Sequence, residues 1–415
     1  MARQKTSCLF RHRLGGVWAA WLPFTLMALL CPANALRAAE AVPADASSSN
    51  TSTASLEYQE TGYNVTSWSA SLTTQTIAFP KEPAAASGKT VRGVFNFGGA
   101  SSNAIPFLWQ RDARKLFLDL NRNRDLTDDP AGVFSAPAVS SISYQTFTNI
   151  HLRFNTAAGR CRALVDLNLY DYGVQPSGIV RVRSFWQGRA TLNGRDWQVG
   201  IVQNNLNQSG TFENGQLLLR PWSARNRPFA ASDGTLATVP FSRGLFVDGH
   251  SYQLDLTAQS ENGEARPAFR FTEKSVALGE VKITGKFIQR LVLTGGPYLV
   301  VDQPAGTLKI PNGAYDQPSI LLAQGGNEAF YNSSQPISVS RISVSDKAPA
   351  VLDVGGPLTN SVTATREGQD LRLDYKLIGA GGASYRLVNQ DSSKPPEFAI
   401  YKGDRKIASG KFEFG

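Results

Sequence analysis

From residue 56 onward, apolar and polar residues alternate with a period of two, the spacing that puts every second side chain on one face of a strand. The sharpest case is the stretch 185–192, then Asn193-Gly194, then 195–202. Asn-Gly accepts the positive φ angles of a two-residue type I′ turn, so this stretch predicts a β-hairpin. Counting outward from the turn places Trp186 and Trp197 on facing strands but not directly opposite each other. A second hairpin is predicted from Ile150, Leu152 and Phe154, through 156–159, to Ala163, Val165, Leu167 and Leu169. A third runs from Tyr252, Leu254 and Leu256 through Asn262-Gly263 to Phe269 and Phe271. Each shows one apolar face, as in an antiparallel sheet packed on one side. Stretches with helical i, i+3, i+4, i+7 apolar spacing are interrupted by Gly or Pro. The chain therefore reads as all-β, with two to three antiparallel β-sandwich modules, because turn signals recur about every 8–12 residues.

Turn residues cluster near Gly234 and again from Gly325 to Pro336, which divides the expected β-rich units at 56–240, 241–335 and 336–415. The strand and tight turn at 306–315 resemble those of transthyretin-like and immunoglobulin-like secreted modules. Short alternating segments at 362–365, 371–375, 398–401 and 411–414 resemble an immunoglobulin-like module without its cysteine pair. Many unrelated sandwiches share this pattern, so the resemblance implies a fold and no particular activity.

The N-terminus departs from the alternation. Arg3, Lys5, Arg11 and Arg13 precede an apolar run at 17–30 and then Ala33-Asn34-Ala35, the layout of a secretory signal peptide. As a helix the run rises only about 21 Å, short of a hydrocarbon core of roughly 30 Å, which favours a cleaved signal over a retained span. Residues 1–35 are thus expected to be removed, with Ala39 as an alternative cut. A lipoprotein signal would place a small residue before Cys31, where Leu30 stands. Residues 36–55, rich in Ala, Ser and Thr, read as a flexible tether. The mature protein is expected to be secreted, or periplasmic within the cell envelope, with no transmembrane span.

Composition sharpens this picture in three ways. A hydrophobic share of 42% is ample for packed cores and excludes wholesale disorder. Loss of 1–35 removes four basic and no acidic residues, lowering the net charge from +9 to +5. The remaining arginines are interspersed with acids, so no nucleic-acid partner is expected. Cys8 and Cys31 leave with the signal, and Cys161 alone cannot form an internal disulfide.

One stretch carries chemistry. A short apolar strand ending at Leu118 runs into Asp119, Asn121, Asn123 and Asp125, spaced two apart, with Leu126 at the eighth position of the loop. Calcium takes six to eight oxygens at about 2.3–2.6 Å, and a coiling loop can deliver them from positions 1, 3, 5 and 7. Residues 119–129 resemble the calcium loops of EF-hands, dockerins and thrombospondin type 3 repeats. The resemblance implies side-chain ligation by Asp119, Asn121 and Asn123 and carbonyl ligation by Asp125. Arg124 stands where those loops take Gly, and Pro130 where they take a bidentate Glu, so Asp128 or Asp129 would supply the remaining carboxylate. A local charge of −2 then implies extracellular-type affinity, Kd about 10⁻⁴ to 10⁻³ M. The alternative is an Asx-rich turn in which the same oxygens cap backbone N–H groups without an ion. A fainter copy of the spacing occurs at 205–212.

Other candidates are thinner. His151 and His250 are the only histidines after the signal, and no nucleophile elbow, zinc-protease helix or phosphate loop occurs. Asp166, Asp171 and the Asp119–Asp129 cluster could include a glycosidase-like carboxylate pair, and Trp68, Trp109, Trp186, Trp197 and Trp222 could stack on sugars or fill a core. Cys161 lies between Arg160 and Arg162, a setting that could favour a thiolate. The reading is a secreted or periplasmic protein, more binding or structural than enzymatic, with a calcium-stabilised loop and a surface, matrix or glycan partner. The alternative is a carbohydrate-binding or carbohydrate-active protein resembling glycoside hydrolases.

Overall fold

The computed structural model describes residues 50–412 apart from 71, 74–76, 85–87, 97–102, 139–140, 142, 157, 174–175, 203–214, 231–233, 332–340, 369 and 389–393, and apart from the side chains of 317 and 367. The signal peptide read at 1–35 lies outside these residues. Strands make up 65% of the described residues and no α-helix forms among them, so the fold is all-β, with sheets packed in sandwich fashion.

The hairpins follow the turn chemistry. Strands Ser184–Leu192 and Arg195–Val202 pair with Leu192 opposite Arg195, and Asn193 and Gly194 take φ of 47° and 72°. Trp186 faces Ile201 and Trp197 faces Ala190. Tyr144–Thr156 returns as Gly159–Tyr170, and His250–Glu261 returns as Glu264–Lys274 through Asn262 and Gly263 at φ 54° and 78°. Of the last predicted strand, 411–414, residues 413–414 lie outside the described residues. Gly403, at φ 59°, turns the chain so that the return strand spans Arg405–Lys411. Phe412 then lies past its end, 5.2 Å from the Tyr375 ring and 5.1 Å from the Phe398 ring.

A 16-stranded sheet joins strands drawn from Thr51 to Leu387, while the last hairpin, Glu397–Lys402 with Arg405–Lys411, forms a sheet of its own. Its central members are buried on both faces, which explains why they read as nearly unbroken apolar runs. In Gly244–Val247, Leu245 and Val247 enter one core while Phe246 enters the other. Ile288–Thr294 divides in the same way, with Val292 on one side and Leu291 and Leu293 on the other. The first core is shared with the five-stranded sheet that contains Arg195–Val202, where Trp197, Val199 and Ile201 are fully buried. The second lies against the three-stranded sheet of Leu278–Ile283, Thr307–Pro311 and Ala350–Leu352. Burial at about 25 cal/mol per Å² makes each large core side chain worth roughly 1.5–3 kcal/mol. A buried pair, Arg290 and Asp302 at 2.7 Å, ties the layers, since Arg290 Nη1 also donates to the Leu219 and Leu236 carbonyls at 2.7 and 3.0 Å.

The tether read over 36–55 is corrected at its end, because Thr51–Ser55 is a strand. It lies antiparallel to Glu264–Lys274, with Ala54 opposite Phe269 and buried in the first core. Small side chains make this fit possible: Gly188 lies so close that an added Cβ would stand 2.3 Å from the Ser55 carbonyl oxygen. Thr51, Thr53 and Ser55 keep their side chains exposed while their backbone pairs in the sheet.

Candidate functional site

A five-stranded sheet places the Asp/Asn loop. Its strands are Leu72–Thr73, Thr90–Asn96, Ala104–Gln110, Lys115–Leu118 and Val133–Ser135, and the loop joins the last two. Both faces around it are apolar. Phe107, Trp109, Leu116 and Leu118 enter the first core, while Leu108 and Phe117 join Phe79 and Leu126 in a small separate cluster. Leu126, the apolar eighth position, therefore anchors the far side of the loop. Leu126 N also donates to the Lys81 carbonyl at 3.1 Å.

The loop is wound by its own side chains. Asp119 is fully buried; its Oδ1 accepts from Asn123 N at 3.1 Å and its Oδ2 from Arg124 N at 2.9 Å. Asn121 Oδ1 accepts from Asn123 N at 3.0 Å, Asn123 Oδ1 from Asp125 N at 2.7 Å, and Asp125 Oδ1 from Thr127 N at 2.9 Å. This is a run of Asx turns, each oxygen holding an N–H two residues ahead. Alternate residues Arg122 and Arg124 are consequently left-handed, at φ 63° and 66°. Arg124 occupies the sixth position with the backbone that glycine adopts most readily. The loop closes through Gly132, where an added Cβ would lie 2.2 Å from the Leu118 carbonyl oxygen.

The structure joins five of the six predicted residues side by side. Asp128 Oδ1 accepts from Asn121 Nδ2 at 3.1 Å and its Oδ2 from Asn123 Nδ2 at 2.6 Å. Asp129 Oδ2 accepts from Asn121 N at 3.4 Å. Burial, with Asp119 and Asp128 nearby, pushes the Asp129 carboxyl above its ordinary value. The sixth, Asp125, sends its carboxylate elsewhere: Oδ2 meets Lys81 Nζ at 2.9 Å and Oδ1 takes the Thr127 hydroxyl at 2.5 Å. The Lys81 ammonium, then Thr127, hold the Asp125 carboxyl down at about 2.

These contacts bear on whether the donors suit calcium. Among the described residues, no three Asp, Glu, His or Cys side chains are gathered as a ready-made metal set. The donors here are mixed: carboxylates of Asp119, Asp128 and Asp129, amides of Asn121 and Asn123, and the carbonyl of Asp125. All are oxygens, the type a hard cation takes. The Asp125 carboxylate is committed to Lys81, which leaves its carbonyl as the available donor.

Sequence reasoning could not find two partners. Lys81 comes from a remote segment with no distinctive local signal. Arg122 leaves the loop to donate Nη2 to the Arg153 carbonyl at 2.7 Å, and its Nη1 to the Leu120 carbonyl at 3.1 Å. The faint loop copy at 205–212 lies outside the described residues.

The remaining candidates occupy structural positions. Asp166 pairs with Arg183 at 3.3 Å, and Asp171 with the buried Arg111. His151 lies 3.5 Å from Glu60, and His250 Nδ1 lies 2.7 Å from Glu273 Oε1. Cys161 is fully buried, and burial pushes its thiol up to about 12, opposite to the effect that flanking arginines suggested. Their side chains point away from it on the alternating strand. Trp109, Trp186 and Trp197 are buried. The Trp222 ring carries the guanidinium groups of Arg189 at 5.3 Å and Arg225 at 5.0 Å.

The class defined by these features is an all-β protein of packed antiparallel sheets that displays an Asx-wound acidic loop on one sheet. No family model matches the chain, and no curated protein and no solved structure matches it either. No helix among the described residues is long and apolar enough to cross a membrane.

Proposed function

We propose that residues 119–129 bind calcium and that the ion pins a strand-to-strand loop in a secreted or periplasmic, non-enzymatic binding or structural protein. The observation that carries this reading is the buried Asp119 carboxylate, whose two oxygens wind the chain through Asn123 and Arg124 and bring Asn121, Asn123, Asp128 and Asp129 together. Asp119, Asn121 and Asn123 would offer side-chain oxygens, Asp125 its carbonyl, and Asp128 or Asp129 the further carboxylate. Calcium supplies positive charge among carboxylates that otherwise repel. The address rests on the basic N-terminus, the apolar run at 17–30 and Ala33-Asn34-Ala35. The work assigned to the protein is binding a partner at a cell surface or in a matrix.

The test is the melting temperature in excess chelator and then at about 0.1, 1 and 10 mM calcium, with magnesium as control. An ion that binds only the folded state stabilises by mass action, by about 1.4 kcal/mol when it reaches ten times its Kd. A calcium-selective rise that Asp119→Ala abolishes supports the site. No rise at about 10 mM would leave an ion-free Asx turn.

A further inference from the structure

The hairpin of Tyr144–Thr156 and Gly159–Tyr170 carries a separate arrangement. Arg153 and Arg162 stand directly opposite one another in its register. Both are exposed, while their chain neighbours Leu152, Phe154, Cys161 and Ala163 face the core. Directly opposed residues have Cα atoms about 4.5–5.5 Å apart, and like charges in that position oppose each other. Neither arginine forms an ion pair among the described residues. Arg160, two residues before Arg162 on the same face, meets Glu264 only at 3.9 Å. Arg122 reaches in to the Arg153 carbonyl, its buried Nε without a hydrogen-bond partner. Arg153, Arg160 and Arg162 thus share the outward face of one hairpin, Arg122 abuts it at the Arg153 carbonyl, and the acids beside them are Glu264 and Glu60, the latter 3.5 Å from His151.

We propose that this face binds an acidic polysaccharide, with Arg153 and Arg162 holding its carboxylate or sulfate groups. A bound anion relieves the opposed charges, and the guanidinium fork matches paired anionic oxygens. Single-stranded nucleic acid suits the face less, because it calls for open aromatic rings on which bases stack. The ring beside these arginines, Tyr58, already carries the Arg162 guanidinium at 4.7 Å. A polymer that presents charge without bases answers the arrangement.

The experiment is calorimetric titration of the full chain in chelator, which keeps the result independent of the calcium reading. The probes are heparin (sulfated), polygalacturonate (carboxylated), neutral dextran and a single-stranded oligonucleotide. At about 50 mM salt one of the acidic polysaccharides should bind, and at about 200 mM it should bind at least ~tenfold more weakly. Arg153→Gln with Arg162→Gln should weaken binding at least ~tenfold, while Lys402→Gln with Arg405→Gln, on the remote hairpin, should change it less than ~twofold. Arg162→Lys keeps the charge and guards against a folding defect; it should still weaken binding, since an ammonium lacks the fork. Absence of polysaccharide binding at the lower salt, equal binding of the oligonucleotide or dextran, or equal loss in the remote variant would each overturn the proposal.

Discussion

Arg124 donates its main-chain N–H to the buried Asp119 carboxylate at 2.9 Å from a left-handed backbone, φ 66°. The hydrogen bond fixes the conformation, and the conformation is costly for a residue with a Cβ, by about 1–2 kcal/mol. Arg124→Gly should remove that cost while adding freedom to the unfolded chain, for a net gain of about 0.5–1 kcal/mol in denaturant unfolding. If the loop binds calcium, the same change should also tighten its affinity. A loss of stability in Arg124→Gly would mean that the Arg124 side chain contributes more than its backbone costs.

Asp119 is the one loop carboxylate that is fully buried, and both its oxygens hold backbone N–H groups. Asp119→Ala would leave the N–H groups of Asn123 and Arg124 without it, and should cost about 1–3 kcal/mol even in chelator. Asp128→Ala touches only the Asn121 and Asn123 amides near solvent and should cost less than about 1 kcal/mol there. Chemical denaturation of both variants in chelator separates these structural effects from any effect of an ion.

Local signals were legible where they were self-sufficient. Asn193-Gly194 and Asn262-Gly263 specify their own turns, and period-two alternation marks the strands that flank them. The Asx turns at Asn121, Asn123 and Asp125 were legible for the same reason, because Asx spacing is a local instruction. What remained hidden depends on distant partners. Thr51–Ser55 looks like a linker because its β pairing is supplied by 268–272 and its packing space by Gly188. Lys81 reaches Asp125 from another segment, and the burial that raises the Cys161 thiol comes from sheets assembled around it.

The pairing of Thr51–Ser55 offers a direct test. A Cβ at position 188 would stand 2.3 Å from the Ser55 carbonyl oxygen, a backbone atom that cannot move without displacing the strand. Gly188→Ala should therefore cost about 1–3 kcal/mol and speed amide exchange at 51–55 relative to the rest of the core. Unchanged exchange there would argue against the pairing.

Cys161 should behave as an inert core residue. Burial pushes its thiol up to about 12, so the thiolate that reacts with disulfide reagents is scarce in the folded protein. Native protein near neutral pH should label slowly, and labelling should become fast and complete in denaturant. Rapid native labelling would show that the strand Gly159–Tyr170 opens readily.

The ion pair between Lys81 and Asp125 makes a pH-dependent prediction whose sign is fixed by the carboxyl. Asp125 lies at about 2 in the folded state against an ordinary 3.8, because the Lys81 ammonium and Thr127 stabilise its charged form. A lowered carboxyl contributes its full stabilisation above the unfolded value, and loses it as pH falls through the folded one. The contribution should therefore be constant at neutral pH and fade between about pH 4 and pH 2. Lys81→Met removes the main cause of the shift. Its melting temperature should sit below that of the unaltered protein at neutral pH, and the two curves should converge as the medium is acidified through that window. Because both partners are near solvent, added salt should shrink the difference. Curves that stay parallel down to about pH 2 would show that the effect of Lys81→Met does not come from the charge pair with Asp125, since the variant keeps the backbone bond from Leu126.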